Sequence, residues 1–346
     1  MILHIYVADK FIPPFIRFMN LNFEKQDHIH FVINKKNRFK FEASTNLINV
    51  SKLNLFNFIK LNSEFQKAEK VILHGLFWNK VIFLLALNFT SLKKCFWAIW
   101  GGDLYKYQER TQKFSNRLMH PLRKFCISRI GNFITYLPAD YELAKKWYNA
   151  NGRYHECLLY LSNVFNSSSI SIETESKAKI QNVLLGNSAS KRNRHSEAFK
   201  LLLPFKGKVR LWTPLTYGDL KYGNEIIKEG HVLFGTDFIP LTTHLPLDEY
   251  YKLLNKIDFV VFNHDRQQGM GNLIQLLGLG KKVFIDFSTS QKTLFDKLGI
   301  TVFDVKKLDF EELSDEIKTR NQTLITEYFS EEKLKNQWQS IFESNL

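Results

Sequence analysis

Short apolar runs alternate with longer stretches of helical period along most of this chain. Ile2 to Val7 reads as a strand, and so do "HIHFVIN" from His28, "KVILHG" from Lys70 and "CFWAIWGGD" from Cys95, with helix-like patterns between them. A second series follows: "NVLLGN" from Asn182, "KVRLWTP" from Lys208, "HVLFG" from His231, "DFVVFN" from Asp258 and "KKVFID" from Lys281. Alternating β and α elements predict an α/β fold with parallel sheets covered by helices, whose ligands bind beyond the carboxyl ends of the strands. The stretch "NSSSISIETESKAK" from Asn166 is small and polar with no apolar period, which marks a linker. The expected organisation is therefore two Rossmann-like domains facing across a cleft: 1–165, a linker at 166–180, and 181–320. The end of the chain, 321–346, is expected to be helical and to return to the first domain.

Composition narrows the class. With 346 residues, 45% of them hydrophobic and 14% aromatic, the chain can bury two cores and is neither disordered nor fibrous. Its longest apolar run, Val81 to Phe89, is about half of the roughly 20 residues that cross a bilayer. The start, "MILHIYVADKF", enters a strand at once and has no basic leader, so a cytoplasmic protein is expected. Cys95, Cys126 and Cys157 have neither disulfide nor zinc spacing and are expected to be core thiols. The net charge of +14 is uneven: residues 1–165 carry 24 Lys and Arg against 11 Asp and Glu (+13), whereas the rest carry 24 against 23 (+1). A basic half implies an anionic surface as partner, either nucleic acid or the inner leaflet of a membrane.

Two loops have the strand, polar turn and helix order that suits phosphate. In "VLLGNSASKRNRHSEAFKLLL", Lys191, Arg192 and Arg194 precede a helix; the loop is either an anion cradle or a solvated basic connection. In "NHDRQQGMGNLIQLL", Arg266, Gln267 and Gln268 lead into Gly269 and Gly271, which let the backbone approach a ligand at the start of a helix expected from Asn272. Ile274 stands where a dinucleotide fingerprint would have its third glycine, and no Walker lysine occurs, so nicotinamide, flavin and ATP are disfavoured. The chain has no Asp-x-Asp, His-x-x-x-His or cysteine cluster, and neither a cofactor nor a metal is expected. Asp103 follows two glycines at a strand end, where it either takes a proton from an acceptor hydroxyl or caps the next helix. His74 is a second candidate base with a structural alternative; His4 and Asp9 rank below it. Tyr217, beside Gly218, either walls a nucleobase or packs in the core. From Phe114 to Ile134, Arg117, Arg123, Lys124 and Arg129 mix with apolar residues at helical spacing. That pattern predicts an interfacial helix on anionic lipid, or else an ordinary amphipathic helix made irregular by Pro121.

Taken together, "LHGLFW" from Leu73, "IWGGDLY" from Ile99, "LLGNSASKRNRHSEAF" from Leu184 and "DRQQGMGNLIQLL" from Asp265 resemble the motifs of the bacterial TDP-N-acetylfucosamine:lipid II N-acetylfucosaminyltransferases, glycosyltransferase family fifty-six. The resemblance implies a GT-B fold, a TDP-4-acetamido-4,6-dideoxygalactose donor and an undecaprenyl-diphosphate disaccharide acceptor in enterobacterial common antigen assembly. It places Gly186, Asn187, Ser188, Asn193 and His195, with Arg266, Gln267, Gln268, Gly269 and Gly271, in the donor site; the charge of the first loop, the turn at Tyr217 and the expected helix start put Arg194, Tyr217 and Asn272 beside them. His74, Gly75, Trp100, Gly101, Asp103 and Tyr105 match first-domain motifs that would face the acceptor. Gly102 departs from an expected alanine, and "TPLTYGDLKYGNE" keeps only a Tyr-centred echo of the family's turn. Gln275 lies nearest the position where many GT-B enzymes hold a ribose with glutamate. The expectation is thus a metal-independent hexosyltransferase, peripheral on the cytoplasmic face of the inner membrane, meeting a TDP-sugar, a lipid-linked oligosaccharide and anionic lipid. The alternatives are another nucleotide-deoxysugar on a lipid-linked O-antigen unit, and a basic nucleic-acid-binding protein, for which no module is recognisable.

Overall fold

A computed structural model describes residues 1–112, 114–167 and 180–345; most of the stretch expected to be a linker, 166–180, lies outside the described residues. The chain divides into two compact units, Met1–Ser162 with Glu331–Leu346, and Asn163–Ser330.

The first unit contains β1 (Ile2–Val7), α1 (Ile12–Asn22), β2 (His28–Ile33), β3 (Leu47–Val50), α2 (Leu55–Lys67), β4 (Lys70–His74), α3 (Asn79–Leu87), β5 (Cys95–Ala98), α4 (Phe114–Ile127), β6 (Asn132–Ile134), α5 (Pro138–Tyr148) and β7 (Arg153–His155). Its sheet runs β3-β2-β1-β4-β5-β6-β7, every pair parallel. Helix starts follow local chemistry. Prolines open α1 and α5, where no amide partner is needed, and the Asn54 side chain accepts from Asn57 N at 2.9 Å to cap α2. The strand period of two divides β1 between two layers. Leu3 and Ile5 join Leu61, Phe65, Val81, Leu84, Cys126 and Ala144 in an apolar core, while His4 and Tyr6 face the other side. All three cysteines are free and buried, as core thiols should be.

The second unit contains β8 (Gln181–Leu185), α6 (His195–Leu202), β9 (Val209–Pro214), α7 (Leu220–Phe234), β10 (Phe238–Leu241), α8 (Leu247–Lys256), β11 (Phe259–Phe262), α9 (Met270–Gly278), β12 (Lys282–Ile285), α10 (Ser290–Leu298), β13 (Phe303–Asp304) and α11 (Asp315–Tyr328). Its sheet order is β10-β9-β8-β11-β12-β13, again all parallel. The final helix, α12 (Glu331–Glu343), belongs to the first unit, where Trp338 and Phe342 cover the His4 side of the sheet.

Three expectations of local structure are corrected. "HVLFG" is not a strand but the end of α7: Ile226, Gly230 and Phe234 are buried at a four-residue interval and Val232 is exposed, so a helical period swallows the short apolar run. The segment Phe114 to Ile134 is not one helix. It stops at Ile127, and Gly131 passes so close to Lys93 that a Cβ there would lie 2.0 Å from its carbonyl oxygen, after which β6 begins. The helix within it runs unbroken through Pro121. Finally, α9 starts at Met270, two residues before the expected start, so Gly271 lies in its first turn. No helix among the described residues is long and apolar enough to cross a membrane.

Candidate active site

In the second unit the chain leaves β8 toward β9 and leaves β11 toward β12, so the loops at the carboxyl ends of these adjacent strands part from one another. Such a switch point is where doubly wound sheets receive ligands. The two loops are those of "LLGNSASKRNR" and "NHDRQQGMG".

They are stitched together by buried side chains. Gly186 follows β8 with φ +67°, and a Cβ there would lie 2.7 Å from Asn193 Oδ1 and 2.8 Å from His195 Nε2, so the turn requires glycine. Asn193 Oδ1 accepts from Asn187 N at 2.9 Å, its Nδ2 donates to Ser188 O at 3.0 Å, and His264 Nε2 lies 2.9 Å from the same oxygen. Gln268 Nε2 then donates to Asn187 Oδ1 at 2.7 Å and reaches Ser188 Oγ at 3.2 Å. Gly269, at φ +69°, turns the chain into α9, which begins with no side-chain cap. The amides of Met270, Gly271 and Asn272 therefore stand at an uncapped, electropositive helix start beside Asn187, Ser188 and Gln268. Arg266 and Gln267 are half-buried in the approach to it. Tyr217 is 49% exposed, with its hydroxyl 3.4 Å from Asn187 Nδ2, so a large part of its ring stands outside the core. Gly218 holds that turn against Ala189, whose carbonyl oxygen a Cβ would meet at 2.4 Å.

Burial keeps the site histidines neutral at pH 7. It brings His195 down to about 4; His264 falls to about 3 through burial and then the charges of His195 and Arg266. His195 Nδ1 meets Tyr222 Oη at 3.1 Å, so the ring braces the β8 loop from below.

Two residues expected to touch the donor are committed elsewhere. Arg194 Nε donates to Asn263 O at 2.8 Å, and its terminal nitrogen reaches Asn263 Oδ1 at 3.0 Å and Asp286 Oδ2 at 2.5 Å. Asp286 stays below the usual carboxylate range because bonds from Ser288 and Arg194 outweigh the upward push of burial. Arg194 is thus a brace between loops, not a free cation for phosphate. Gln275 Oε1 accepts from Asn166 N at 3.2 Å and its Nε2 donates to Val164 O at 2.8 Å. Both ends of its amide hold residues 164–166 against α9, and the side chain is buried, so it is a brace rather than a group presented to a ribose hydroxyl.

The first-unit candidates are corrected as well. Asp103 is fully buried: Oδ2 accepts from Leu76 N at 2.8 Å and Trp97 Nε1 at 2.7 Å, Oδ1 from Trp100 N and Leu104 N at 3.0 Å each. Four donors fill a carboxylate's accepting capacity, so Asp103 ties together the turns after β4 and β5 and has nothing left for an acceptor proton. His74 is buried between His4 Nδ1 at 3.0 Å from its Nε2 and Tyr160 Oη at 2.7 Å from its Nδ1; the chain continues from His4 Nε2 to His28 Nδ1 at 3.0 Å. Burial holds His4 and His74 well below the ordinary histidine value. His74 therefore positions Tyr160, whose hydroxyl accepts from Trp100 Nε1 at 2.8 Å. Tyr105 is buried against Trp147, with ring centroids 5.1 Å apart, and does not face outward. Gly101 is buried at φ +82°, in the turn that aims Trp100. Arg123, placed on a lipid-facing surface by the sequence, is buried, donates to Leu76 O at 2.7 Å and is shifted down by burial. Arg117 and Arg129 are exposed, Arg129 stacking on Phe125 at 3.8 Å, and Lys124 is half-buried.

Two residues escaped the sequence reading, and a third was ranked too low. Tyr160 follows a strained Leu159 at φ +72° and sits in no periodic element. Tyr250, on α8, hydrogen-bonds Asn272 and interacts with Tyr217, and its phenol is pushed up by burial. Asp9, ranked low, follows β1 at the first unit's own switch point and has one buried oxygen with no hydrogen-bond partner in the protein.

Comparison with known proteins agrees with this architecture. Sucrose-phosphate synthase from Thermosynechococcus elongatus superposes with a TM-score of 0.71 at 12% identity, covering 99% of this chain and 98% of that one. Anabaena HepE in complex with UDP and glucose gives 0.69 at 12% identity, over 99% of both chains. WaaG, a glycosyltransferase involved in lipopolysaccharide biosynthesis, gives 0.61 at 10% identity over the full length of both. These likenesses show a GT-B fold. The sequence family described as 4-alpha-L-fucosyltransferase, glycosyl transferase group 56, matches residues 11–342. Two parallel doubly wound units and a match over nearly the whole chain lead to one statement: the protein is a hexosyltransferase belonging to the group 56 glycosyltransferases.

Proposed function

We propose that this transferase moves 4-acetamido-4,6-dideoxygalactose from TDP to an undecaprenyl-diphosphate-linked disaccharide, at the cytoplasmic face of the bacterial inner membrane, in enterobacterial common antigen assembly. The observation that supports donor binding most directly is the junction of Gln268 with Asn187 and Ser188 beside the uncapped start of α9. A diphosphate at this helix start would accept from the amides of Met270, Gly271 and Asn272, with Arg266 as the nearby cation. As the anomeric C–O bond breaks, the negative charge gathering on the departing TDP is met by preoriented dipoles, which is the largest electrostatic contribution such a site supplies. Neutral His195 and His264 leave that field undisturbed. The exposed ring of Tyr217, with Tyr250 and Asn272 behind it, suits the nucleobase end.

For a reaction that inverts the anomeric centre, a base must take the acceptor hydroxyl's proton. With Asp103 and His74 consumed by buried bonds, Asp9 is the carboxylate we assign to that task. The lipid-linked acceptor rests on family membership and on the basic first half of the chain.

The test is thermal stabilisation of the purified protein by TDP, UDP and GDP. TDP should raise the midpoint most, and Gln268→Ala, by undoing the junction with Asn187 and Ser188 beside the start of α9, should weaken that response by about tenfold in apparent affinity, the size of one lost hydrogen bond. Indifference to all three nucleotides would sink the proposal.

A further inference from the structure

Three of the helices covering the apolar side of the first unit's sheet carry a second apolar stripe that points away from the core. Leu55 and Ile59 on α2, Phe83 and Leu87 on α3, and Phe114 and Leu118 on α4 stand four residues apart in each pair, and all six are between 49% and 83% exposed. The inner stripes of the same helices, Leu61 and Phe65, Leu84 and Leu85, Cys126 and Ile127, fill the core, so the outer ones are not misplaced core positions. The three helices are neighbours: Asn88 Nδ2, at the end of α3, donates to Asn62 Oδ1 on α2 at 2.8 Å, and Cys126 Sγ on α4 lies 3.7 Å from Ile82 O on α3. Eight of the fourteen exposed large hydrophobics among the described residues fall on this layer, counting Phe56 and Phe89. Such a concentration is uncommon on a surface that meets only water.

The charges on the same helices have one sign. Lys60, Lys80, Arg117 and Lys124 are accompanied by Glu64 alone, which Lys67 neutralises at 3.0 Å; α3 and α4 contain no acidic residue. Apolar pairs ringed by cations match the boundary between acyl chains and anionic headgroups. Pairing of this face with a second copy of itself would bring like-charged rows together, and a nucleic acid would leave the phenylalanines and leucines without a partner.

We propose that this three-helix face docks the protein onto an anionic lipid bilayer, with the outer apolar stripes entering the acyl boundary while the lysines and Arg117 meet the headgroups. The docking surface is thus broader than the single basic helix visible in the sequence, and it rests on the membrane-borne acceptor of the preceding reading.

The experiment is vesicle flotation of the full chain with phosphatidylglycerol-containing and pure phosphatidylcholine vesicles. The double variants Phe83→Gln/Leu87→Gln and Leu55→Gln/Ile59→Gln are compared with the unaltered protein. Unaltered protein should float with the anionic vesicles, and each variant should bind about tenfold less, as expected when apolar anchors rather than charge alone hold a helix at the interface. Melting midpoint and TDP response should not move, because the substituted side chains are exposed. Variants that float like the unaltered protein would overturn the proposal. So would a concentration-dependent dimer that the substitutions dissolve, in a protein that ignores vesicles. Loss of the TDP response alone, with flotation as expected, would overturn the donor assignment and leave the docking face standing.

Discussion

Single residues in this protein are decided by how many partners they have. Asp103 has the sequence context of a base, yet four donors from Leu76, Trp97, Trp100 and Leu104 converge on it. Replacing it by Asn puts an NH2 group against two of those donors, and should cost about 3 kcal/mol of stability, the penalty for breaking a buried charged network. Urea unfolding of Asp103→Asn reads this directly; unchanged stability with abolished turnover would return Asp103 to the chemistry. Arg194 and Gln275 illustrate the same rule. Their type and loop position were visible in the sequence, but the atoms occupying their hydrogen-bonding groups, Asp286 and Asn263 for one and residues 164–166 for the other, come from distant positions or from backbone that no motif marks. By contrast, the glycines at 186 and 269 were legible, because a positive φ at a strand-to-helix turn is a local demand.

At the scale of elements, periodicity succeeded where it had length to work with. Strands β1, β2, β4, β8, β9, β11 and β12 coincide closely with apolar runs in the sequence. The run "HVLFG" misled because three apolar residues cannot distinguish a strand from the last turn of a helix, and only packing on β10 decides. That packing is tight: a Cβ at Gly230 of α7 would lie 2.6 Å from the Phe238 ring. Alanine is favoured over glycine by about 1 kcal/mol in a helix, whereas forcing a methyl group into a filled core costs about 1–3 kcal/mol. Gly230→Ala should therefore be net destabilising, with a lower melting midpoint; a rise would show that α7 can shift away from β10 freely. The strands β3, β7 and β13 went unread because they are short and only partly buried, so no continuous apolar run marks them, and β6 lay inside the helix expected to reach Ile134.

Across the whole molecule, buried neutral histidines tie stability to pH. His28 and His195 fall to about 4 and His30 and His264 to about 3, burial being the first cause in each, while His4 and His74 are held well below the ordinary value by burial and then by neighbouring histidines. In the unfolded chain these side chains take up protons near pH 6.5. The unfolded state therefore binds more protons than the folded state between about pH 6.5 and 4, and stability, complete above that window, is lost as pH falls through it. A single histidine shifted like His195 loses about 3 kcal/mol across the window. Urea midpoints at pH 7.5 and 5 should differ accordingly, with the deficit reduced in His195→Gln; equal midpoints would show that these rings are already charged in the fold.

The sequence by itself determined the alternation of strand and helix, the parallel sheets that follow from it, the two glycine turns after β8 and β11, and the family. All of these are written in local period, local backbone demand or contiguous motif. Tertiary structure alone decided which polar side chains are free. Asp103, His74, Arg194, Gln275 and Arg123 carry the right chemistry in the sequence, but each is enclosed by partners that the fold brings to it. The reverse holds for the outward leucines and phenylalanines of α2, α3 and α4, which look ordinary in one dimension. Their significance lies in what packing leaves uncovered, and exposure is a property of the assembled surface rather than of any residue or its neighbours in the chain.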